Sequence, residues 1–249
     1  MRQSLYEKSL FIGDLHIPFQ DPLAVKVMLK FTDWFKPHVI FIIGDLLDWY
    51  QLSKFDKNPL RILKIQDDID ETQHFLAELR THCPKARIVY FEGNHEKRLT
   101  KYLWSHPEIA SLKVLSVEFL LNLTPLKIEF VPQNQRFKHH GFMVEHGNIA
   151  RKHSGYTAKG MMEDVGISGI SGHSHRLGAH YKTNEGGDFV WLENGCLCDK
   201  NPEYIVGLPN WQSGFTIGYY KRGDNRFSVE QICVTKNKAA FAGKEFNSD

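Results

Sequence analysis

The stretch Val39-Ile-Phe-Ile-Ile-Gly-Asp-Leu-Leu-Asp48 decides the fold. Its first half is an unbroken apolar run, which marks a strand buried on both faces in a sheet covered by helices. Its second half is a polar turn opened by a glycine. The same grammar recurs along the chain. Leu10-Phe11-Ile12 runs into Gly13-Asp14-Leu15-His16, and Ile88 to Phe91 into Glu92-Gly93-Asn94-His95-Glu96. Phe142-Met143-Val144 leads to Glu145-His146-Gly147, and Ile167 to Ile170 to Ser171-Gly172-His173-Ser174-His175. In an open α/β sheet, ligands bind at the carboxyl ends of strands, so side chains far apart in sequence are expected to converge there.

Between the early strands lie helical stripes: Leu23, Val27, Phe31 and Phe35, then Ile62, Ile65, Ile69, Leu76 and Leu79. Asp67, Asp68, Asp70 and Glu71 fall largely off the second stripe and are expected to face solvent. Later segments (Phe189 to Leu192, Phe215 to Tyr219, Phe227 to Val234) are strand-like. The order is α/β first and mostly β afterwards, an α/β sandwich finished by a second sheet. Residues 1–235 read as a single domain, and 236–249 as a polar tail, expected to fray.

Composition sets outer limits. The 249 residues are 42% hydrophobic and 24% charged, with 31 Lys+Arg against 29 Asp+Glu, a globular rather than a disordered balance. A net charge of +2 argues against gripping duplex DNA by charge alone. No apolar run is long enough to span a bilayer. The four cysteines (Cys83, Cys196, Cys198, Cys233) lack metal-knuckle spacing, and reduced thiols in a cytoplasmic protein with no membrane association and no obligate protein partner are expected. Histidine is the unusual count, at 13.

Five of the histidines, His16, His95, His146, His173 and His175, fall in the strand-end motifs. Asp14 and His16, two apart, would share a side of an extended segment and hold one metal ion; His173 and His175 repeat the pattern. Asp45 offers a carboxylate that can bridge two cations, Asn94 an amide oxygen and His146 an imidazole. This mixed donor set suits manganese, favoured here, or iron, zinc or nickel, better than a pure magnesium or calcium cage. Two such ions about 3.5–4 Å apart can activate water and clamp a phosphoryl group. Each motif alone has a plain structural reading as a turn or helix cap; five in series at strand ends do not.

The series Asp14-x-His16, Gly44-Asp45-x-x-Asp48, Gly93-Asn94-His95-Glu96, His146-Gly147 and Gly172-His173-x-His175 resembles the calcineurin-like metallophosphoesterase superfamily. The resemblance implies a four-layer sandwich of two mixed β-sheets flanked by helices. It implies that Asp14, His16, Asp45 and His175 hold one divalent metal, and Asp45, Asn94, His146 and His173 the other. It further implies catalytic roles for His95, which would protonate the leaving group or bind the phosphoryl group, and for Asp48, which would orient His95. The implied activity is a dinuclear-metal phosphoesterase hydrolysing a phosphodiester (nucleotide or nucleic acid) or a phosphomonoester by metal-hydroxide attack. A looser likeness to small phage and prophage phosphoesterases leans toward the diester. The alternative is a non-catalytic scaffold of the same fold; in such relatives the catalytic histidine is lost, whereas His95 is present here.

Where the superfamily's protein phosphatases carry a phosphate-clamping arginine after Gly-Asp-x-x-Asp, this chain has Trp49, read as a stacking surface for a base or aryl group. Arg98 and Arg176 are expected to contact substrate phosphate, and Lys54, Lys57 and Arg61 lie where substrate would enter. His139, His140 and His153, near the fourth motif, are further candidates to line the pocket.

Overall fold

The computed structural model describes residues 4–58, 64–201 and 207–249, so Arg61 and Ile62 lie outside the described residues. The first half alternates strand and helix: β1 (Tyr6–Ile12), α1 (Pro22–Phe35), β2 (Val39–Ile42), α2 (Ile65–His82), β3 (Arg87–Phe91), α3 (Lys97–Trp104), α4 (Val117–Leu120) and β4 (Ile128–Val131). Then come β5 (Phe137–His139), β6 (Phe142–Glu145), α5 (Tyr156–Val165), β7 (Gly169–Ser171), β8 (Leu177–Asn184) and β9 (Gly187–Asn194). The chain ends in β10 (Gly214–Lys221), β11 (Phe227–Cys233), β12 (Lys238–Phe241) and β13 (Lys244–Asn247).

Two mixed sheets result. The first has the order β11-β10-β1-β2-β3-β4, with β1 to β4 parallel and the β10–β11 edge antiparallel. The second has the order β5-β6-β7-β9-β8, parallel at its centre and antiparallel at both edges. Register explains the unbroken apolar runs. Leu10, Ile40, Ile88 and Ile128 stand in one row across the first sheet and enter the core beneath α1 and α2. Their neighbours Phe11, Phe41 and Val89 point the other way, into a core shared with Phe142, Val144, Ile170 and Leu192 of the second sheet. Both faces are dry, so neither could be polar. Helix α5 covers the far face of the second sheet through Ala158, Met161 and Met162 against Trp191. The layers are therefore helix, sheet, sheet, helix, as the resemblance implied.

Helix α1 starts where Asp21 Oδ1 accepts the N–H groups of Leu23 (3.0 Å) and Ala24 (3.1 Å), with Pro22 in the first turn, and ends on left-handed Lys36. Val27, Phe31 and Phe35 are buried, whereas Leu23, at the first turn, is exposed. Two expectations fail. Residues 236–249 do not fray: they form the β12–β13 hairpin, which lays Ala239 and Phe246 on α1, with the Phe246 ring 5.0 Å from that of Phe31. Three apolar residues, Ala239, Phe241 and Phe246, were enough to dock a segment that reads as polar. Asp68 does not face solvent either. It is fully buried in the first turn of α2, with Oδ1 accepting from Gln51 Nε2 at 3.4 Å.

Candidate active site

The site is built where β1 and β2 stop. Their pairing continues past the strands as zipped loops: Asp14 N–H donates to Gly44 O (3.1 Å), His16 N–H to Asp45 O (3.0 Å) and Ile17 N–H to Leu46 O (2.9 Å). Asp14, His16, Asp45, His173 and His175 all have left-handed backbones, with φ between 47° and 65°. The same-side placement of Asp14 and His16 thus comes from two left-handed residues (φ 51° each), not from an extended segment. Asp and His tolerate this region better than most residues, yet such clustering is costly and gathers at functional sites. Glycine makes the approach of the loops possible. A Cβ on Gly44 would sit 2.6 Å from His146 Nδ1, and one on Gly93 would collide with Asp45.

Five segments bring their side chains to one place. Asp14, His16 and His175 form one group of convergent donors and Asp45, His146 and His173 another; a third, His16, Asp45 and His95, joins them. Asp45 Oδ2 lies between three imidazoles, 3.3 Å from His146 Nε2, 3.8 Å from His16 Nε2 and 3.9 Å from His95 Nε2. His175 Nε2 is 3.3 Å from Asp14 Oδ1 and 3.0 Å from His16 Nε2. Asn94 Oδ1 is 3.0 Å from His146 Nε2. Every residue expected to ligate a metal is therefore in one cluster.

The donor chemistry fits divalent transition metals, because imidazole nitrogens and carboxylate oxygens face one another in a buried space with few protons to share. Burial pushes the His16 imidazole down to about 4, and its Nδ1 is buried without a hydrogen bond. Burial and the neighbouring His146 lower His173 as well. His146 behaves oppositely: burial opposes its charge, but Asp45 overrides that and holds it up to about 10. Burial alone would likewise raise Asp45, yet the surrounding histidines keep it well below the ordinary carboxylate range. Metal binding would release the proton from His146, so affinity rises with pH.

Asp48 and His95 stand beside this cluster. His95 Nδ1 lies 3.0 Å from the Asp48 carbonyl and 3.3 Å from Asp48 Oδ2, while His16 Nδ1 is 3.4 Å from the same Oδ2. Burial disfavours a charged His95, but Asp45 and Asp48 outweigh it and raise its pKa. Arg98 Nη1 donates to the Asp48 carbonyl (2.7 Å) and Oδ1 (3.1 Å), and Nη2 sits 3.1 Å from His95 Nε2. Arg98 thus reaches the site by gripping Asp48, at the edge of the cluster.

Other expected substrate contacts are placed differently. Trp49 is fully buried in the core beneath the first sheet and cannot stack on a substrate. Its backbone is left-handed (φ 49°), and its place in the core is not revealed by the sequence pattern. Arg176 Nη1 donates to the Ser174 carbonyl (3.3 Å), on the loop that carries His173 and His175. His139 and His140 lie at the far end of β1, with Nε2 atoms 2.9 Å and 3.4 Å from Glu7 Oε1, and His153 packs on Tyr156.

Three contributors escape the sequence reading. Glu96, the last residue of the third motif, is fully buried and accepts four hydrogen bonds. Oε2 takes the N–H of Asp45 (3.0 Å) and Gly93 (2.7 Å), Oε1 that of Leu46 (2.8 Å) and the Tyr90 hydroxyl (2.6 Å). It staples the second motif to the third. Buried Glu193 accepts from Ser174 Oγ (2.6 Å) and the Gly155 N–H (2.7 Å), tying the His173–His175 loop to the start of α5. Trp211 sets its ring 4.3 Å from that of His175, edge on. Only Glu96 carried a signal, its place directly after Gly-Asn-His.

The calcineurin-like phosphoesterase family model matches residues 8–227, and the chain belongs to that family. The gene 54 protein of Mycobacterium phage L5 is 28% identical over 226 residues, covering 85% of this chain and 88% of that protein. The gene 54 protein of Mycobacterium phage D29 is 30% identical over 227 residues, covering 84% and 87%. Vacuolar protein sorting 29 from Cryptosporidium parvum superposes with a TM-score of 0.52 at 14% identity, over 98% of this chain and 100% of that one, a likeness of fold. No helix among the described residues is long and apolar enough to cross a membrane.

Proposed function

We propose that this protein is a two-metal phosphoester hydrolase, acting on phosphodiesters in preference to monoesters, with manganese the favoured ion. The observation that carries the reading is the position of Asp45 Oδ2, within 3.9 Å of imidazole nitrogens from His16, His95 and His146. One carboxylate would thus serve both ions. Asp14, His16, Asp45 and His175 would hold one ion, and Asp45, Asn94, His146 and His173 the other. Bound there, the ions supply Lewis-acid polarisation of the phosphoryl group and a more acidic water.

The chain's own residues do the rest. The stapled loops hold the ligands so that little reorganisation is needed when a phosphoryl group arrives. His95, paired with Asp48 through Nδ1, would carry the proton that a leaving oxygen requires. Asp48 engages the ring through Nδ1, so a proton would pass through Nε2, which in this geometry accepts from Arg98 Nη2 at 3.1 Å. The diester preference is supported by the position after Gly-Asp-x-x-Asp: buried Trp49 stands there instead of a cationic clamp, and a diester brings one negative charge fewer than a monoester. Four free thiols support a cytoplasmic location.

The test is metal analysis of the purified protein, followed by assay of p-nitrophenyl phosphate and bis-p-nitrophenyl phosphate with manganese. Two equivalents of bound transition metal and faster diester turnover are expected. A chain that binds no stoichiometric metal and stays inert after loading would be a scaffold of this fold, and the reading would fail.

A further inference from the structure

We propose that the groove beside α3 is a track for single-stranded nucleic acid, which delivers one phosphodiester of an extended strand to the ligand cluster. The inference rests on the hydrolase reading and narrows its substrate. The groove has a volume of about 570 Å³ and runs between α3 and the segment 51–57. Its inner end is Asn94 and Arg98, the first a candidate metal ligand and the second bonded to Asp48, so groove and cluster are continuous.

Charge and shape favour a strand over a small ester. Arg98, Lys101, Tyr102 and Ser105 recur at helical spacing and line one wall. Lys54 and Lys57 line the other. No carboxylate is among the described lining residues, although the chain as a whole is nearly neutral. The three lysines are exposed, and none is in an ion pair among the described residues. Desolvated pairing is not their role; they present charge at the groove.

The aromatic residues complete the pattern. Tyr102 is 42% exposed and stacked on His106, with ring centroids 4.1 Å apart and planes 20° from parallel. His106 Nδ1 lies 2.9 Å from the Tyr102 carbonyl, which locks the stack. Phe55, on the opposite wall, is 81% exposed. A cationic groove with ordered rings is the chemistry that binds single strands without reading sequence, lysines tracking phosphates and rings taking base faces. Splayed bases are required, which a duplex does not offer. A phosphopeptide would use the cations but not the rings.

The experiment uses the full chain loaded with manganese and an end-labelled oligothymidylate of roughly 12 nucleotides. The variants are Lys54→Glu/Lys57→Glu/Lys101→Glu and Tyr102→Leu, with bis-p-nitrophenyl phosphate as the small diester. In the triple variant, kcat/KM on the oligonucleotide is expected to fall at least tenfold, and the salt slope of binding to shrink by about 2, at roughly 0.7 per lost phosphate contact. Tyr102→Leu should lose about tenfold, from one stacked base. Both variants should keep the wild-type kcat on the small diester. Unchanged oligonucleotide turnover in the triple variant would overturn the groove and leave the hydrolase reading standing. A groove-dependent preference for a phosphoserine peptide over the oligonucleotide would also overturn it. If the loaded wild type fails on the small diester, the hydrolase reading falls, and oligonucleotide binding followed by fluorescence anisotropy still decides the groove.

Discussion

Glu96 Oε2 accepts the backbone N–H of Asp45 at 3.0 Å, so a carboxylate from the third motif holds the residue of the second that stands with His16 and His95 in one donor group and with His146 and His173 in another. All four hydrogen bonds to Glu96 point at an acceptor. A glutamine there would turn an amide NH2 toward a donor on one side. Glu96→Gln is therefore expected to cost about 2–3 kcal/mol of stability and to weaken metal binding roughly 10- to 100-fold. Denaturant unfolding and metal titration check the two effects separately. Unaltered metal affinity would mean that the staple serves folding alone.

The pairing of His95 with Asp48 makes a prediction that depends on the leaving group. His95→Ala should lower turnover about 10²- to 10⁴-fold on an alkyl ester, whose leaving oxygen needs a proton. The loss should be much smaller on a p-nitrophenyl ester, whose leaving group departs as an anion. Asp48→Asn should follow the same ordering with a smaller loss, because Arg98 and the Asp48 carbonyl still position the ring. Equal losses on both esters would assign His95 to phosphoryl binding rather than proton transfer.

Metal occupancy should divide along the two groups. Asp14→Ala removes a donor proposed for one ion and should leave about one equivalent bound, whereas Asp45→Asn alters the carboxylate proposed to serve both and should leave less, with activity abolished in each. Inductively coupled plasma mass spectrometry of the purified variants measures this. Two equivalents retained by Asp45→Asn would remove the bridging role.

Asp68 gives the protein a pH dependence away from the cluster. Burial raises its pKa to about 7, against 3.8 ordinarily. The folded state then binds this proton more tightly than the unfolded chain, so its contribution to stability falls as pH rises between about 4 and 7. Asp68→Asn removes the ionisable group. Its stability relative to wild type should rise by on the order of 2 kcal/mol from pH 5 to pH 8. Urea unfolding at the two pH values measures the difference, and a pH-independent result would show that the carboxylate is well solvated when folded.

The C-terminal hairpin is a structural element, as Phe246 shows. Its ring packs 5.0 Å from Phe31 and 5.4 Å from Trp34, and it is 5% exposed. Phe246→Ala should cost about 3 kcal/mol, the usual loss for a buried ring. A change below about 1 kcal/mol would show that the hairpin is loosely held.

The sequence by itself determined the α/β order, the doubly buried strands and the seven candidate ligands. These rest on local rules: an unbroken apolar run has no polar face to leave wet, and five glycine-bearing motifs with aspartate, asparagine or histidine, in series at strand ends, have no shared structural reading. Tertiary structure decided whatever depends on which way a side chain turns once its neighbours are in place. Trp49 and Tyr102 are both aromatic residues near a motif, yet Trp49 is buried in the core and Tyr102 stands in an open groove. Asp68 and Glu96 are both acids in or at a first helical turn, and packing alone buried the first and made the second a staple. Trp211 reaches His175 across 36 residues of chain (211 − 175), a distance no periodicity spans. Hydrophobic patterning is a property of neighbouring residues and can be read along the chain; burial of a single polar or aromatic group is a property of the assembled layers and cannot.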